Sequence, residues 1–341
     1  MQLNKNFDKY DMKAAIRSFS NQIQNGFDIM NSWENKNKYK NIESILILGM
    51  GGSAIGGDLT KVLVQDYCTI SITINRNYTI PKWVNSKTLI LACSYSGNTE
   101  ETLSAFEICL KNQFHIIICT TGGKLLKIAN EYNIDYIKIP SGYQPRAALG
   151  LSFSVIILLF SKFKFIPNHL INNLYNTISS LNKFSSEFCD LNNSAARIAK
   201  VIYNTIPIIY GSDDLTWIIA LRLKGQLAEN AKILSFHYNF PEQNHNEIEG
   251  WNNNNLFKKY SIIWIYDQDI HINIKKRMDI TSQMLGSKIE QIKIKQTGSN
   301  KYERLLKLIH YADWISYYTA YYNNTDPTPV KKIEELKLQL K

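Results

Sequence analysis

Short apolar runs alternate with amphipathic stretches along most of this chain. Ile45-Leu46-Ile47-Leu48 and Thr88-Leu89-Ile90-Leu91-Ala92-Cys93 are the clearest runs. Runs this short suit strands of a parallel sheet buried on both faces. Strands are expected near 44–49, 70–74, 87–93, 114–119 and 135–139, with helices near 54–66, 99–112 and 123–132 between them. Strand–helix–strand alternation implies a parallel, doubly wound sheet. Ahead of it, Met12, Ile16, Phe19, Ile23 and Phe27 recur at helical spacing. They predict an amphipathic helix in an otherwise polar segment over 1–43, covering a sheet edge.

The pattern then repeats. Pro140 to Arg146 is a loop by its breakers, and Arg146 opens an apolar helix over about 147–163. Residues 164–205 are polar and helical with Asn-rich breaks, as in a connection. Ile206 to Tyr210 is a short strand that empties into Gly211-Ser212-Asp213-Asp214, and Leu215 to Leu234 predicts one long helix. A loop over 240–246 with a turn or helix start at 244–250 follows. Strands near 260–266 and 289–294 and helices near 271–285, 300–323 and 329–340 complete the chain. The expected organisation is an α/β protein of four parts: an N-terminal helical segment (1–43), a first sheet unit (44–163), a helical connection (164–205) and a second unit (206–341). In each unit a parallel sheet is flanked by helices.

Composition narrows the function. With 341 residues and 45% hydrophobic content the chain can bury a large core. No apolar run approaches the roughly 20 residues that span a bilayer, and the N-terminus has no signal-peptide core, so a cytoplasmic protein with no membrane partner is expected. The five cysteines (Cys68, Cys93, Cys109, Cys119, Cys189) form no Cys-x-x-Cys pair and do not read as a disulfide framework. Cys93 and Cys119 end apolar runs and read as small buried hydrophobes. The net charge of +10 is spread over separate clusters without interleaved aromatics, so no nucleic-acid partner is expected; a positive field instead helps attract a phosphorylated substrate. His237 and His245 have no regular ligand spacing, and no metal is expected.

Candidate chemistry sits where strands empty into small polar loops. One loop reads Gly49-Met50-Gly51-Gly52-Ser53-Ala54-Ile55-Gly56-Gly57-Asp58, the other Ser94-Tyr95-Ser96-Gly97-Asn98-Thr99-Glu100-Glu101. Ligands of such sheets bind at the carboxyl ends of the strands. Glycines let the backbone approach an oxyanion, helix N-termini aim N–H groups at it and hydroxyls add donors. Ordinary readings stand beside this one: Asn98 with Glu101 is a good N-cap pattern, and Gly52-Ser53 could be a tight turn. Arg146 could be a surface arginine, Glu229 a solvated helical residue on one face with Arg222, Gln226 and Ile233, His245 a capping-loop residue between Asn244 and Glu247, and Lys337 a solvated helix-end lysine.

The two loops resemble the phosphosugar loops of sugar isomerase (SIS) domains. Three further motifs are more specific: Gln144-Pro145-Arg146-Ala147-Ala148-Leu149-Gly150, Ala228-Glu229-Asn230-Ala231-Lys232 and Asn244-His245-Asn246-Glu247-Ile248-Glu249-Gly250-Trp251. In this order, with Leu336-Lys337 near the end, they are similar to the bifunctional phosphoglucose/phosphomannose isomerases of archaea and bacteria. Segments 164–205 and 252–300 are rich in Asn and Lys and carry no such motif.

The resemblance implies a fold of two SIS-type αβα subdomains and an aldose–ketose isomerase of hexose 6-phosphates that needs no cofactor. It assigns Ser94, Ser96 and Thr99 to the phosphate and Gly52 and Ser53 to the sugar. Arg146 would stabilise the enediolate, and Glu229 would be the base between C2 and C1. His245 and Lys337 would open the ring, with His245 reaching the site from the second subunit of a homodimer. The rival readings are an isomerase of one specificity, a non-catalytic SIS-type regulator that senses phosphosugar, and an amidotransferase-type isomerase half. A regulator would need a DNA-binding segment longer than 1–43, and an amidotransferase a nucleophile domain ahead of the first sheet.

Overall fold

A computed structural model describes residues 7–252 and 254–340. The first six residues of the expected N-terminal segment, residue 253 of the 252–300 stretch and the final lysine lie outside the described residues. The chain divides into two compact units, Ser18–Ser179 and a second formed by Met1–Arg17 with Ser180–Lys341.

The Ser18–Ser179 unit is built on a parallel sheet in the order β2-β1-β3-β4-β5, with β1 Ser44–Leu48, β2 Ser71–Asn75, β3 Thr88–Cys93, β4 His115–Thr120 and β5 Asp135–Lys138. Every pairing is parallel and in continuous register, Ser44 opposite both Ser71 and Thr88. All six residues of β3 are buried, as expected for a central strand covered on both faces. Cys93 and Cys119 are opposed in the register and buried, the small hydrophobes that the sequence predicts. The hydrogen bond with the Cys119 thiol, together with burial, holds the Cys93 thiol well above its usual range.

Helices α3 (Gly51–Val64), α4 (Glu100–Lys111), α5 (Gly123–Glu131) and α6 (Leu149–Lys162) follow their strands or loops in the expected order. The N-terminal helical stretch differs from expectation. It is two helices, α1 (Met12–Arg17) and α2 (Phe19–Ser32), and they belong to different units. Rather than covering a sheet edge, α2 packs along α6. The reason is a small-residue crossing: a Cβ on Gly26 would lie 1.9 Å from Ser154 Oγ, and one on Gly150 would lie 2.7 Å from Gln22 Cβ. The Gln22 side chain locks the crossing, donating to Ala147 O at 2.7 Å and accepting from Gly150 N at 3.0 Å.

The second unit has its own parallel sheet in the order β7-β6-β8-β9, with β6 Ile206–Ser212, β7 Phe236–Phe240, β8 Tyr260–Ile265 and β9 Glu290–Ile294. The strand β7 falls between the expected helix, which ends at Leu234, and the expected loop, which begins at Phe240, where the sequence assigns no element. It is a half-polar edge strand, Phe-His-Tyr-Asn-Phe, without the apolar run that marks the central strands. The 164–205 connection contains α7 (Asn168–Ser186), within which one boundary between the units falls, and α8 (Ser194–Ile202). Helices α9 (Trp217–Gln226), α10 (Ile272–Leu285), α11 (Lys301–Tyr322) and α12 (Lys331–Gln339) complete the unit. Most of α11 is buried, and α1, α8 and α9 pack on it. Both sheets therefore have helices on their faces, the α/β layering expected from the sequence. Among the described residues no helix is long and apolar enough to cross a membrane.

Candidate active site

In the Ser18–Ser179 unit the chain leaves β1 toward one side of the sheet and leaves β3 toward the other, since β2 and β4 flank that pair. Such a switch point opens a crevice at the carboxyl ends of the two strands. Both predicted loops lie there. After β3, the hydroxyls of Ser94 and Thr99 are 2.8 Å apart, and Ser94 Oγ also accepts from Gly97 N at 3.1 Å. Ser96 Oγ accepts from Asn98 N at 3.2 Å. Ser94 is 2% exposed, whereas Ser96 is exposed. Gly97 has φ +67°, and a Cβ there would lie 1.8 Å from Gly122 O, so only glycine lets the loop close on its neighbour.

The helix that follows begins differently from the expected N-cap. Thr99, not Asn98, caps α4, with no side-chain bond to the helix. The Asn98 side chain instead accepts from Lys124 N at 2.9 Å. The Thr99 hydroxyl is thus held by Ser94, beside the N-terminal N–H groups of α4, which together form a ready anion site.

The glycine-rich loop also differs from expectation. Gly51 to Gly57 are already helical, so α3 starts three residues before the expected position. The glycines here act by clearance: a Cβ on Gly52 would lie 2.5 Å from Pro145 O, and one on Gly56 would lie 2.9 Å from Ser152 Oγ. Close approach brings Gly52 and Ser53 against the Pro145–Ala147 turn that carries Arg146, which is 4% exposed. Ser53 Oγ accepts from Tyr95 N at 3.3 Å, and the Tyr95 hydroxyl donates to Pro140 O at 3.1 Å and accepts from Tyr143 N at 3.0 Å. Gly52, Ser53, Ser94, Ser96, Thr99 and Arg146 are therefore assembled by the start of α3, the Ser94–Thr99 loop and the Pro145–Ala147 turn of one unit. Tyr95, which ties the three together, was marked by no pattern beyond its place in the loop.

Glu229 lies in the second unit. The expected helix over 215–234 ends earlier: α9 stops at Gln226, residues Leu227–Ala231 form a single π turn, and Lys232 turns left-handed with φ +57°. Single π turns occur often at functional positions. The face predicted to unite Arg222, Gln226, Glu229 and Ile233 splits in two. Arg222 makes a bidentate pair with Asp313 at 2.8 and 2.7 Å, and Gln226 donates to the same carboxylate at 2.8 Å. Asn230 Nδ2 donates to Ser316 Oγ at 2.9 Å. These bonds pin the segment to α11. Glu229 and Ile233 instead line a cavity of about 910 Å³, together with Lys9, Tyr10, Asp326 and Lys332.

His245 is exposed at the end of a short 3-10 helix, Glu242–His245, that follows β7. The predicted Asn244–Glu247 cap is replaced by other bonds. Asn244 Nδ2 donates to Thr281 Oγ1 at 2.9 Å, and Asn246 Oδ1 accepts from Glu247 N at 2.5 Å. The Glu247 carboxylate accepts the Tyr210 hydroxyl, which itself accepts from Trp251 Nε1 at 2.8 Å. Burial raises the Glu247 carboxyl above its usual range, against the Tyr210 hydrogen bond, and burial with the adjacent Glu247 charge raises Tyr210. Lys337 lies on α12, every residue of which is exposed, and it is not among the residues lining the Glu229 cavity. That cavity is approached on α12 by Lys331, Lys332 and Ile333.

Known proteins match this chain over nearly all its length. The model for the bacterial phospho-glucose isomerase C-terminal SIS domain matches residues 191–340. A bifunctional phosphoglucose/phosphomannose isomerase of Caldicellulosiruptor bescii is 39% identical over 334 residues, 96% of this chain and 98% of the relative. One from Aquifex aeolicus is 35% identical over 97% of this chain and 98% of the relative. Among solved structures, the C-terminal domain of glucosamine-fructose-6-phosphate aminotransferase from Francisella tularensis superposes with a TM-score of 0.74 at 14% identity, covering 95% of this chain and 99% of that one. At that identity the likeness is one of fold.

Proposed function

The chain belongs to the bifunctional phosphoglucose/phosphomannose isomerase family, and on that premise we propose that it interconverts glucose 6-phosphate and mannose 6-phosphate with fructose 6-phosphate through one cis-enediolate. The observation that carries the reading is the junction of the Ser94–Thr99 hydroxyl pair with Gly52, Ser53 and the buried Arg146. Hydroxyls and helix N–H groups suit a phosphate, and a buried guanidinium suits an oxyanion that develops at the other end of the sugar.

Ser94, Ser96 and Thr99 hold the phosphate, so its binding energy orients C1 and C2. His245 and Lys337 open the ring by protonating the ring oxygen and removing the anomeric hydroxyl proton. Glu229 takes the proton from C2 of the aldose, leaving the enediolate, and returns it to C1 to give the ketose. Arg146 balances the negative charge between these steps. Glucose and mannose phosphates differ only in configuration at C2, so removal of that proton gives the same enediolate from both, and one carboxylate serves both. The enzyme is a cytoplasmic homodimer, and His245 of each chain acts in the site of the other. The exposure of His245 in the single chain supports that reading.

The test starts from fructose 6-phosphate and resolves the aldoses formed. Both glucose and mannose 6-phosphate are expected. One aldose alone would restrict the enzyme to a single specificity, and a chain that binds fructose 6-phosphate without forming either aldose would be a sensor.

A further inference from the structure

We propose that Lys232 is a positioning residue for the proton transfer, holding the turn that carries Glu229 at a fixed place in its cavity; the inference rests on the reading of Glu229 as the base. A helix end leaves carbonyls without partners in the helix, and a π turn displaces them further from regular geometry. Here the carbonyls of Glu229 and Asn230 both accept from one ammonium, Lys232 Nζ, at 2.7 and 3.2 Å. The same ammonium binds Asp326 O at 2.9 Å and Pro327 O at 3.2 Å. The third carbonyl of the turn, Ala231 O, accepts from Asn323 Nδ2 at 2.9 Å.

A lysine that merely caps a helix would need only its own helix end. Lys232 instead bridges two segments that both line the Glu229 cavity, the π turn and the stretch after α11. Its left-handed backbone, φ +57°, folds the side chain back over the turn. The bridge sets the separation between Glu229 and the residues that lead into α12. A carboxylate that must take a proton from one carbon and deliver it to the next depends on such placement, and a shift of about 1 Å costs on the order of 100-fold in rate.

The test measures kcat and KM for fructose 6-phosphate, with melting temperature, in Lys232→Met and Lys232→Gln. Lys232→Gln is neutral and shorter; it can still donate to the turn but cannot reach residues 326 and 327, so it keeps the test open if Lys232→Met fails to fold. The expected result in the folded variants is a fall in kcat of roughly 10- to 100-fold, with KM within about threefold, because the phosphate is held by Ser94, Ser96 and Thr99. A simple cap would lower the melting temperature and leave kcat of the folded protein unchanged; that result overturns the inference. Wild type and Glu229→Gln are assayed alongside. Activity in Glu229→Gln defeats the assignment of the base itself, whereas an inactive Glu229→Gln with fully active Lys232 variants defeats only the positioning role.

Discussion

Gly52 and Pro145 are so close that a Cβ on the glycine would lie 2.5 Å from the Pro145 carbonyl oxygen and 3.3 Å from Arg146 Cα. The contact joins the start of α3 to the turn bearing Arg146. Both partners are backbone, so neither can swing aside. Gly52→Ala is expected to cost about 1–3 kcal/mol of stability, the usual range for overpacking, and to lower kcat/KM through displacement of Ser53 and Arg146. Thermal melts and steady-state kinetics check both effects; an alanine variant with wild-type kcat/KM would show that the contact does not set the site.

Ser94 and Thr99 present their hydroxyls as a pair. Thr99→Val keeps the shape and removes the donor. The expected effect is weaker binding of fructose 6-phosphate and of inorganic phosphate alike, with a stability change of about 1 kcal/mol or less. Calorimetric titration with both ligands measures it. A loss confined to the sugar phosphate would remove Thr99 from the phosphate site.

The hydrogen-bonded set of Tyr210, Glu247 and Trp251 ties the segment after His245 to the core of its unit. Tyr210→Phe removes the hydroxyl between a half-buried carboxylate and an indole N–H, leaving both without that partner. Expected consequences are a lower melting temperature and a slower ring-opening step. The second shows as a larger rate deficit on cyclic glucose 6-phosphate than on substrates supplied in open-chain form. Equal deficits on both would detach this set from His245.

His310 is fully buried, and its Nε2 accepts from Trp314 Nε1 at 3.0 Å. Burial, aided by the nearby Arg222 charge, lowers its pKa from 6.5 to about 3. A histidine depressed in the folded state binds its proton more readily when unfolded, so its contribution to stability is full above pH 6.5 and is lost as the pH falls toward about 3. His310→Gln retains an acceptor for Trp314 but does not titrate. Its melting temperature is expected to fall less steeply than wild type between pH 6.5 and 3. Parallel slopes would mean that His310 does not control acid lability.

The central strands were legible because their apolar runs are short, bounded and free of charge, as in Leu89 to Cys93. The layered α/β fold follows from their alternation with helices. The first loop misled because glycine is ambiguous: Gly52 and Gly56 read as loop formers, yet they serve close packing of a helix against Pro145 and Ser152. The edge strand Phe236–Phe240 escaped because half its residues face solvent or polar partners. The end of the helix before it escaped because a π turn has no sequence period of its own. In the site, hydroxyl and glycine chemistry pointed to an anion without outside help. Glu229 did not stand out from an ordinary helical glutamate; only its motif singled it out. The bonds that hold it, from Lys232 to residues 326 and 327, join positions more than ninety residues apart, beyond the reach of local pattern.

The most direct test is solvent deuterium incorporation during turnover. Fructose 6-phosphate is incubated with the enzyme in deuterated water, and the products are resolved by NMR. The account predicts glucose and mannose 6-phosphates that both carry deuterium at C2 from the wild-type enzyme, and no exchange from Glu229→Gln, which still binds the substrate. Exchange that persists in Glu229→Gln contradicts the account.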